Sequence, residues 1–175
     1  ELIGEAFGYG TEAITTNADT HTTTIADGAS DAGRSMFLKY TGTLDSACTI
    51  TIGPNTVSKM WFIENATTGS QNIIISQGSG ADVTIPAGQT KSVYSDGAGA
   101  GAAFVDAFNS LSVGALASAG AISGTTGTFS GAVAGTTGTF SGAVTGASAT
   151  LGGITYPTSD GTSGQALVTN GSGTV

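Results

Sequence analysis

LSVGALASAGA ISGTTGTFSGA VAGTTGTFSGA VTGASATLGGI, residues 111–154, divides into four units of eleven residues. Leu111, Ile122, Val133 and Val144 fall in one column, and Phe129, Phe140 and Leu151 fall in another. Gly120, Gly131, Gly142 and Gly153 form a third column; Gly124, Gly135 and Gly146 form a fourth, where the first unit has Val113. The two central units agree at nine of eleven positions, so the segment is an array of one repeated element.

Phe129 and Val133 lie four apart and could share one face of a helix. The unit Ile122 to Ala132 nevertheless contains three Gly and three Thr. Each interior Gly costs about 1 kcal/mol relative to Ala in a helix, and Thr adds smaller costs, so a lone helix would not form. In a strand, Phe129, Gly131 and Val133 share one face, with Thr128, Ser130 and Ala132 opposite. Ala134-Gly135-Thr136-Thr137-Gly138 then makes the turn.

Each unit offers one aromatic, one branched aliphatic and one Gly to an inner face, which is at most a few kcal/mol of burial. Ordering its backbone costs about 1–2 kcal/mol per residue, so one chain of this kind cannot hold the fold alone. Three copies wound about a common axis would bury the apolar columns, close the open strand edges and use the Gly columns for close backbone approach. The expectation is a homotrimeric β-stalk with Leu111, Ile122, Phe129, Val133, Phe140, Val144 and Leu151 as its packing positions.

Outward from the repeat, the composition changes at Asn109. Residues 1–110 hold every Lys, Arg, Glu, His, Cys, Met and Trp, whereas residues 111–175 carry one charged side chain, Asp160. Only 9% of the chain is charged, against about 25% in an ordinary soluble domain. Twelve acids stand against four bases, Arg34, Lys39, Lys59 and Lys91, for a net charge of −8. No basic patch can neutralise phosphates, so nucleic acid is not an expected partner. Apolar runs such as Met60-Trp61-Phe62-Ile63 fall far short of the ~20 residues that span a bilayer, so membrane insertion is not expected either. Beginning at Glu1 and stopping at Val175 within a Gly/Ser/Thr run is expected of a piece of a longer polypeptide.

Between residues 34 and 110, seven β-prone runs follow one another: Arg34 to Thr41, Ala47 to Ile52, Ser58 to Glu64, Asn72 to Ser76, Asp82 to Ile85, Thr90 to Ser95, and Ala102 to Ala107. Turn chemistry separates them, as in Gly53-Pro54-Asn55, Thr67-Thr68-Gly69, Gly78-Ser79-Gly80, Pro86-Ala87-Gly88 and Asp96-Gly97. This number of short strands fits a β-sandwich-like module or a partly open barrel. Cys48, Ile50 and Ile52 alternate with Thr49 and Thr51, giving one core face and one wet face. Met60-Trp61-Phe62-Ile63 and Ile73-Ile74-Ile75 are apolar on both faces, as in central strands or strands lying against another subunit. Residues 1–33, rich in Thr and Gly, read as a lead-in or connector with one strand around Asp19 to Ile25. Residues 155–175 read as a linker to a further distal region. The expected class is all-β: a sandwich-like module followed by a trimeric, intertwined β-repeat stalk.

The segments TGTLDSACTITIGP, ENATTGSQNIIIS, VTIPAG, VYSDG and FVDA, within residues 36–107, resemble a β-module recurring in tail-fibre and other virion structural proteins of tailed bacteriophages. PTSDGTSGQALVTNGSGTV, residues 157–175, is similar to a linker that follows TGTFSGAV-type repeats in such fibres. One departure is Ala98-Gly99-Ala100-Gly101-Ala102, which reads as a local loop insertion. The resemblance implies a trimer located in the virion. It also implies contact with other virion proteins of the tail, neck or head through one end, and with a host-surface receptor through a distal region. Head fibres, neck fibres and bacterial adhesin stalks share these features, and a tailspike depolymerase would need a carboxylate-lined groove in a much longer domain.

No catalytic, cofactor-binding or metal-binding residues are expected. His21 is the sole histidine and cannot build a triad or a multi-His metal site within one chain; it is expected at the surface. Asp27-Gly28-Ala29-Ser30-Asp31 lacks the dense oxygen ligands of a calcium loop and reads as an Asx-type turn. Glu1, Glu5 and Glu12 do not define a glycosidase pair. Gly124-Thr125-Thr126-Gly127 has no Lys-Ser/Thr after it and no helix to follow it, so it is repeat rather than phosphate cradle. Cys48 reads as a small buried hydrophobe. Trp61, Phe62, Tyr40 and Tyr94 could form an exposed platform for sugar, but core or inter-subunit packing is the preferred reading.

Overall fold

The computed structural model describes residues 2–124, 126–135, 137–139, 141, 150–151 and 154–155. Two compact units emerge, Glu1–Ala117 and Ser118–Val175. The first holds a short helix, Leu2–Ala6, and nine strands: β1 (Tyr9–Ala13), β2 (Thr20–Thr24), β3 (Phe37–Thr41), β4 (Cys48–Gly53), β5 (Met60–Asn65), β6 (Ile73–Ser76), β7 (Val83–Ile85), β8 (Thr90–Ser95) and β9 (Phe104–Asp106). In the second, β10 (Thr150–Leu151) pairs antiparallel with β11 (Ile154–Thr155). Among the described residues the protein is all-β apart from this one α-helix and two short 3-10 turns.

All seven strands expected between residues 34 and 110 form, each within a few residues of its run. Their connection is different from a chain of hairpins. The strands form a five-stranded sheet, β1-β3-β5-β8-β9, and a four-stranded sheet, β2-β4-β6-β7, and the first six alternate between them. The pairs β1–β3–β5 and β2–β4–β6 are all parallel. The first six strands therefore wind as a two-sided β-coil in which each crossover is a strand of the opposite sheet. Tyr9 sits beside Phe37 and Phe37 beside Phe62, while Thr20 sits beside Thr49 and Thr49 beside Ile74. After β6 the chain reverses: β7 runs antiparallel to β6, β8 to β5, and β9 to β8.

This winding corrects the reading of residues 1–33 as a lead-in. β1 and β2 are the first turn of the coil and hydrogen-bond to the second, so the unit begins ahead of residue 34. Thr20 to Thr24 carries polar residues at nearly every position because its outer side is wet and its inner side closes the end of the coil. A hydrophobic alternation is missing there for that reason.

The core lies between the sheets. Leu38, Tyr40, Trp61, Ile63, Val93 and Phe104 project from one sheet, and Cys48, Ile50, Ile52, Ile73, Ile75 and Ile85 from the other, all nearly or fully excluded from solvent. The alternation in β4 is as expected, with Thr49 and Thr51 turned out. Stacked corners hold the turns in register: Ile14 N–H donates to Thr41 O, Asn17 N–H to Thr43 O, Ala66 N–H to Tyr40 O and Thr68 N–H to Gly42 O. At Gly69, φ is +98° and a Cβ would stand 1.9 Å from the Leu44 carbonyl oxygen, so only Gly permits this corner to close on the one beneath.

Asn65, at the end of β5, is completely buried and uses its full hydrogen-bonding capacity. Its amide donates to Gln71 O at 3.0 Å and to Ile85 O at 2.9 Å. Its carbonyl accepts from Thr67 N–H at 3.2 Å and from Thr67 Oγ1 at 2.6 Å. One side chain thus ties both sheets to the corner between them.

Candidate assembly surface

The sequence puts its functional weight on the apolar columns of the repeat. Leu111 is 57% exposed, Ile122 76%, Phe129 72% and Val133 73%, so all four stay largely uncovered among the described residues. Val113 and Leu116, in the first unit of the repeat, are also exposed. Phe140 and Val144 lie outside the described residues, as do the contacts of Leu151, which falls in β10. Burying such side chains fully is worth roughly 1.5–3 kcal/mol each, and the single chain obtains only the smaller part of it at these four positions.

A second apolar surface, not anticipated as a unit, lies on the outer side of the five-stranded sheet. Strand pairing sets Tyr9, Phe37 and Phe62 side by side in one row, and Met60, Tyr94 and Val105 in another. The Tyr9 and Phe37 rings stack with centroids 4.9 Å apart. Between the rows and the sheet's far end runs a polar row, Thr11, Lys39, Glu64 and Thr90, in which Lys39 and Glu64 pair at 3.4 Å. The outer side of the other sheet is different in kind: Thr20, Thr22, Thr49, Thr51 and Thr84 dominate it.

The four aromatics considered as a sugar platform are divided between the two sides of one sheet. Trp61 and Tyr40 are buried; Trp61 packs on Phe104 at 5.4 Å and its indole N–H donates to Gly33 O at 2.8 Å. Tyr40 shares a 2.7 Å hydroxyl hydrogen bond with Thr23, and burial pushes its phenol far above the ordinary tyrosine range. Phe62 and Tyr94 stay outside with Tyr9 and Met60. The signal that could have found this grouping is the parallel register, which brings Tyr9 and Phe37 next to Phe62 across distances no local pattern spans.

His21 is part-buried rather than fully at the surface. It stands on the inner side of β2, in register with Ile50, and its Nε2 lies 2.7 Å from Glu12 Oε1 on the facing sheet. The pair closes the open end of the coil with polar groups, which explains why the first turn lacks large apolar residues on its inner side. Glu5 and Asp31 surround Arg34, at 3.5 Å and 3.3 Å. Asp31 also accepts from the backbone N–H groups of Ala26 and Arg34, so its carboxylate orders the loop as an Asx-type cap. Among the described residues no cluster of His, Cys, Asp or Glu could hold a metal ion.

Near the helix, an open depression of about 470 Å³ is lined by Phe7, Ile25, Arg34, Met36, Val57 and Met60 among others. Lys59 at its rim has its pKa lowered, first by burial and then by Arg34, and its ammonium lies 5.0 Å from the centre of the Trp61 ring. Cys48 is buried, and burial followed by Asp19 raises its thiol pKa, so a thiolate is disfavoured. The Ala98–Ala102 segment forms a turn that docks on Gly78-Ser79-Gly80, with Ser79 N–H donating to Ala100 O and Gly80 N–H to Ala102 O.

No protein-family model, curated protein or solved structure matches the chain. Functional inference accordingly rests on the two apolar surfaces and on the repeat.

Proposed function

We propose that this chain is a non-enzymatic structural spacer and attachment segment of a trimeric virion fibre of a tailed bacteriophage, a tail fibre in the first instance, serving adsorption to the host. The observation that carries this reading is the exposure of Leu111, Ile122, Phe129 and Val133 in phase with an eleven-residue repeat. A chain that leaves periodic apolar columns bare is completed by copies of itself, and three copies about an axis would cover all columns together. The charge-poor composition, in which residues 111–175 carry Asp160 alone, suits a surface that ends up against another chain. The resemblance of residues 36–107 and 157–175 to phage fibre segments supports the virion setting. One end of the fibre would join other virion proteins, and a distal region would meet the receptor.

Light scattering on the purified chain should give about 51 kDa, three times the 16.9 kDa chain mass. A mass near 17 kDa under native conditions overturns the reading. An antibody raised against residues 34–110 should then decorate appendages of the phage particle in electron micrographs. Decoration of a bacterial surface in uninfected cells would instead favour an adhesin stalk, which shares the repeat chemistry.

A further inference from the structure

We propose that the outer side of the five-stranded sheet is a docking surface for a second copy of this chain, so that the two-sheet body is itself a subunit interface and not a passive bead ahead of the stalk. The inference rests on the trimeric reading above and adds to it a face and a set of contact residues.

The apolar character of that face is the first support. Tyr9 is 57% exposed, Met60 44%, Tyr94 42% and Phe62 37%, and strand pairing makes them neighbours rather than scattered residues. Contiguous exposed apolar patches beyond a few hundred Å² are uncommon on soluble monomers, and aromatics with Met are the residues enriched where proteins meet. The opposite outer side, dominated by threonine, presents no such surface.

Chain connectivity says what covers it. β9 ends at Asp106, and Leu111 follows five residues later. A chain spans at most about 3.6 Å per residue, so Leu111 lies within about 18 Å of Asp106 in every copy. If Leu111 packs near a threefold axis, the strands β9, β8 and β5 are brought near that axis in all three copies, because neighbouring strands are only about 4.8 Å apart. Phe108, 58% exposed, sits on the connection itself. The tether leaves from β9 of the five-stranded sheet, and the apolar rows decide which side of that sheet meets its copies.

Charge allows the approach. The chain carries a net −8, which opposes self-association. On this face the charged residues at paired positions are Lys39 and Glu64, which neutralise each other at 3.4 Å. Copies can meet here without like charges being brought together.

The test uses the full chain. Single cysteines are placed at Tyr94→Cys and Phe62→Cys on the proposed interface and at Thr51→Cys on the threonine face, with buried Cys48 left in place and the parent protein giving its background. After light scattering establishes the mass, maleimide labelling is timed under native conditions. Labelling of Tyr94→Cys and Phe62→Cys at least about tenfold slower than Thr51→Cys, in a particle of about 51 kDa, is the expected result. Equal labelling in a 51 kDa particle overturns the interface while leaving the trimer standing; a mass near 17 kDa overturns both. Should a cysteine variant fail to assemble, hydroxyl-radical footprinting of the unaltered chain decides: Met60 and Tyr94 should react no faster than buried Trp61, and clearly faster reaction overturns the proposal.

Discussion

Asn65 shows how much one polar side chain can carry when it is wholly buried. Its four hydrogen bonds join β5, the corner at Thr67, Gln71 and the end of β7, and three of the four are wholly buried. Asn65→Ala leaves two carbonyls and the Thr67 donors without partners. The loss should be about 3 kcal/mol in unfolding free energy, measured by urea denaturation of the variant against the parent. Tyr40 makes a pH-dependent contribution. Its folded pKa is raised, mainly by burial, so the folded state holds the phenolic proton more tightly than the unfolded chain. Stability from this group is complete below the unfolded tyrosine value of about 10 and falls as the pH rises above it. Thermal melts between pH 9 and about 11.5 should show a steep decline in the parent that is shallower in Tyr40→Phe. An identical decline in both proteins would assign alkaline unfolding to another group.

At the scale of elements, the contrast is between the strands of the two-sheet unit, which bury one side within it, and the repeat residues Ile122, Phe129 and Val133, which stay exposed. β5 is apolar on both sides, and its two sides meet different fates: Trp61 and Ile63 enter the core, while Met60 and Phe62 remain exposed. The repeat has Phe129, Ile122 and Val133 largely exposed. Ile122→Ser together with Phe129→Ser removes roughly 3 kcal/mol or more of apolar burial per chain in a trimer. The concentration at which the trimer dissociates should rise at least about tenfold in sedimentation equilibrium, with the far-ultraviolet dichroism of the two-sheet unit unchanged. Loss of that dichroism in the double variant would mean that the unit ending at Ala117 does not fold independently of the repeat.

At the scale of the whole chain, the coil makes residues 1–33 indispensable. β1 and β2 pair along the edges of β3 and β4, so removing residues 1–33 strips both sheets of their first strands and opens the end of the core near Leu38, Tyr40, Ile50 and Ile52. The truncated chain should lose at least about 3 kcal/mol, which for a unit of this size is a fall in melting temperature of about 10 °C or more. A truncation that melts with the parent would restore the reading of this segment as a connector. The trimer itself is checked at this scale by the mass of the native particle.

Local chemistry carried a good part of this protein. Turn residues such as Pro86-Ala87-Gly88 and the alternation through Cys48 to Ile52 located all seven strands after residue 34. The periodic glycines and sparse aromatics of residues 111–154 carry the expectation that the segment lacks the apolar surface to stand alone. What could not be read was which strand lies beside which. A strand's side-chain period is two whether it pairs parallel or antiparallel, so Phe37 to Thr41 looks the same in a hairpin as in a coil. Nor could the pattern separate the buried side of β5 from its exposed side, because Met60 and Phe62 are as apolar as Trp61 and Ile63. The pairing of Glu12 with His21 and the row Tyr9, Phe37, Phe62 join residues 9 to 53 positions apart. Such contacts follow from how successive turns of chain stack, and that is settled by packing the whole core at once.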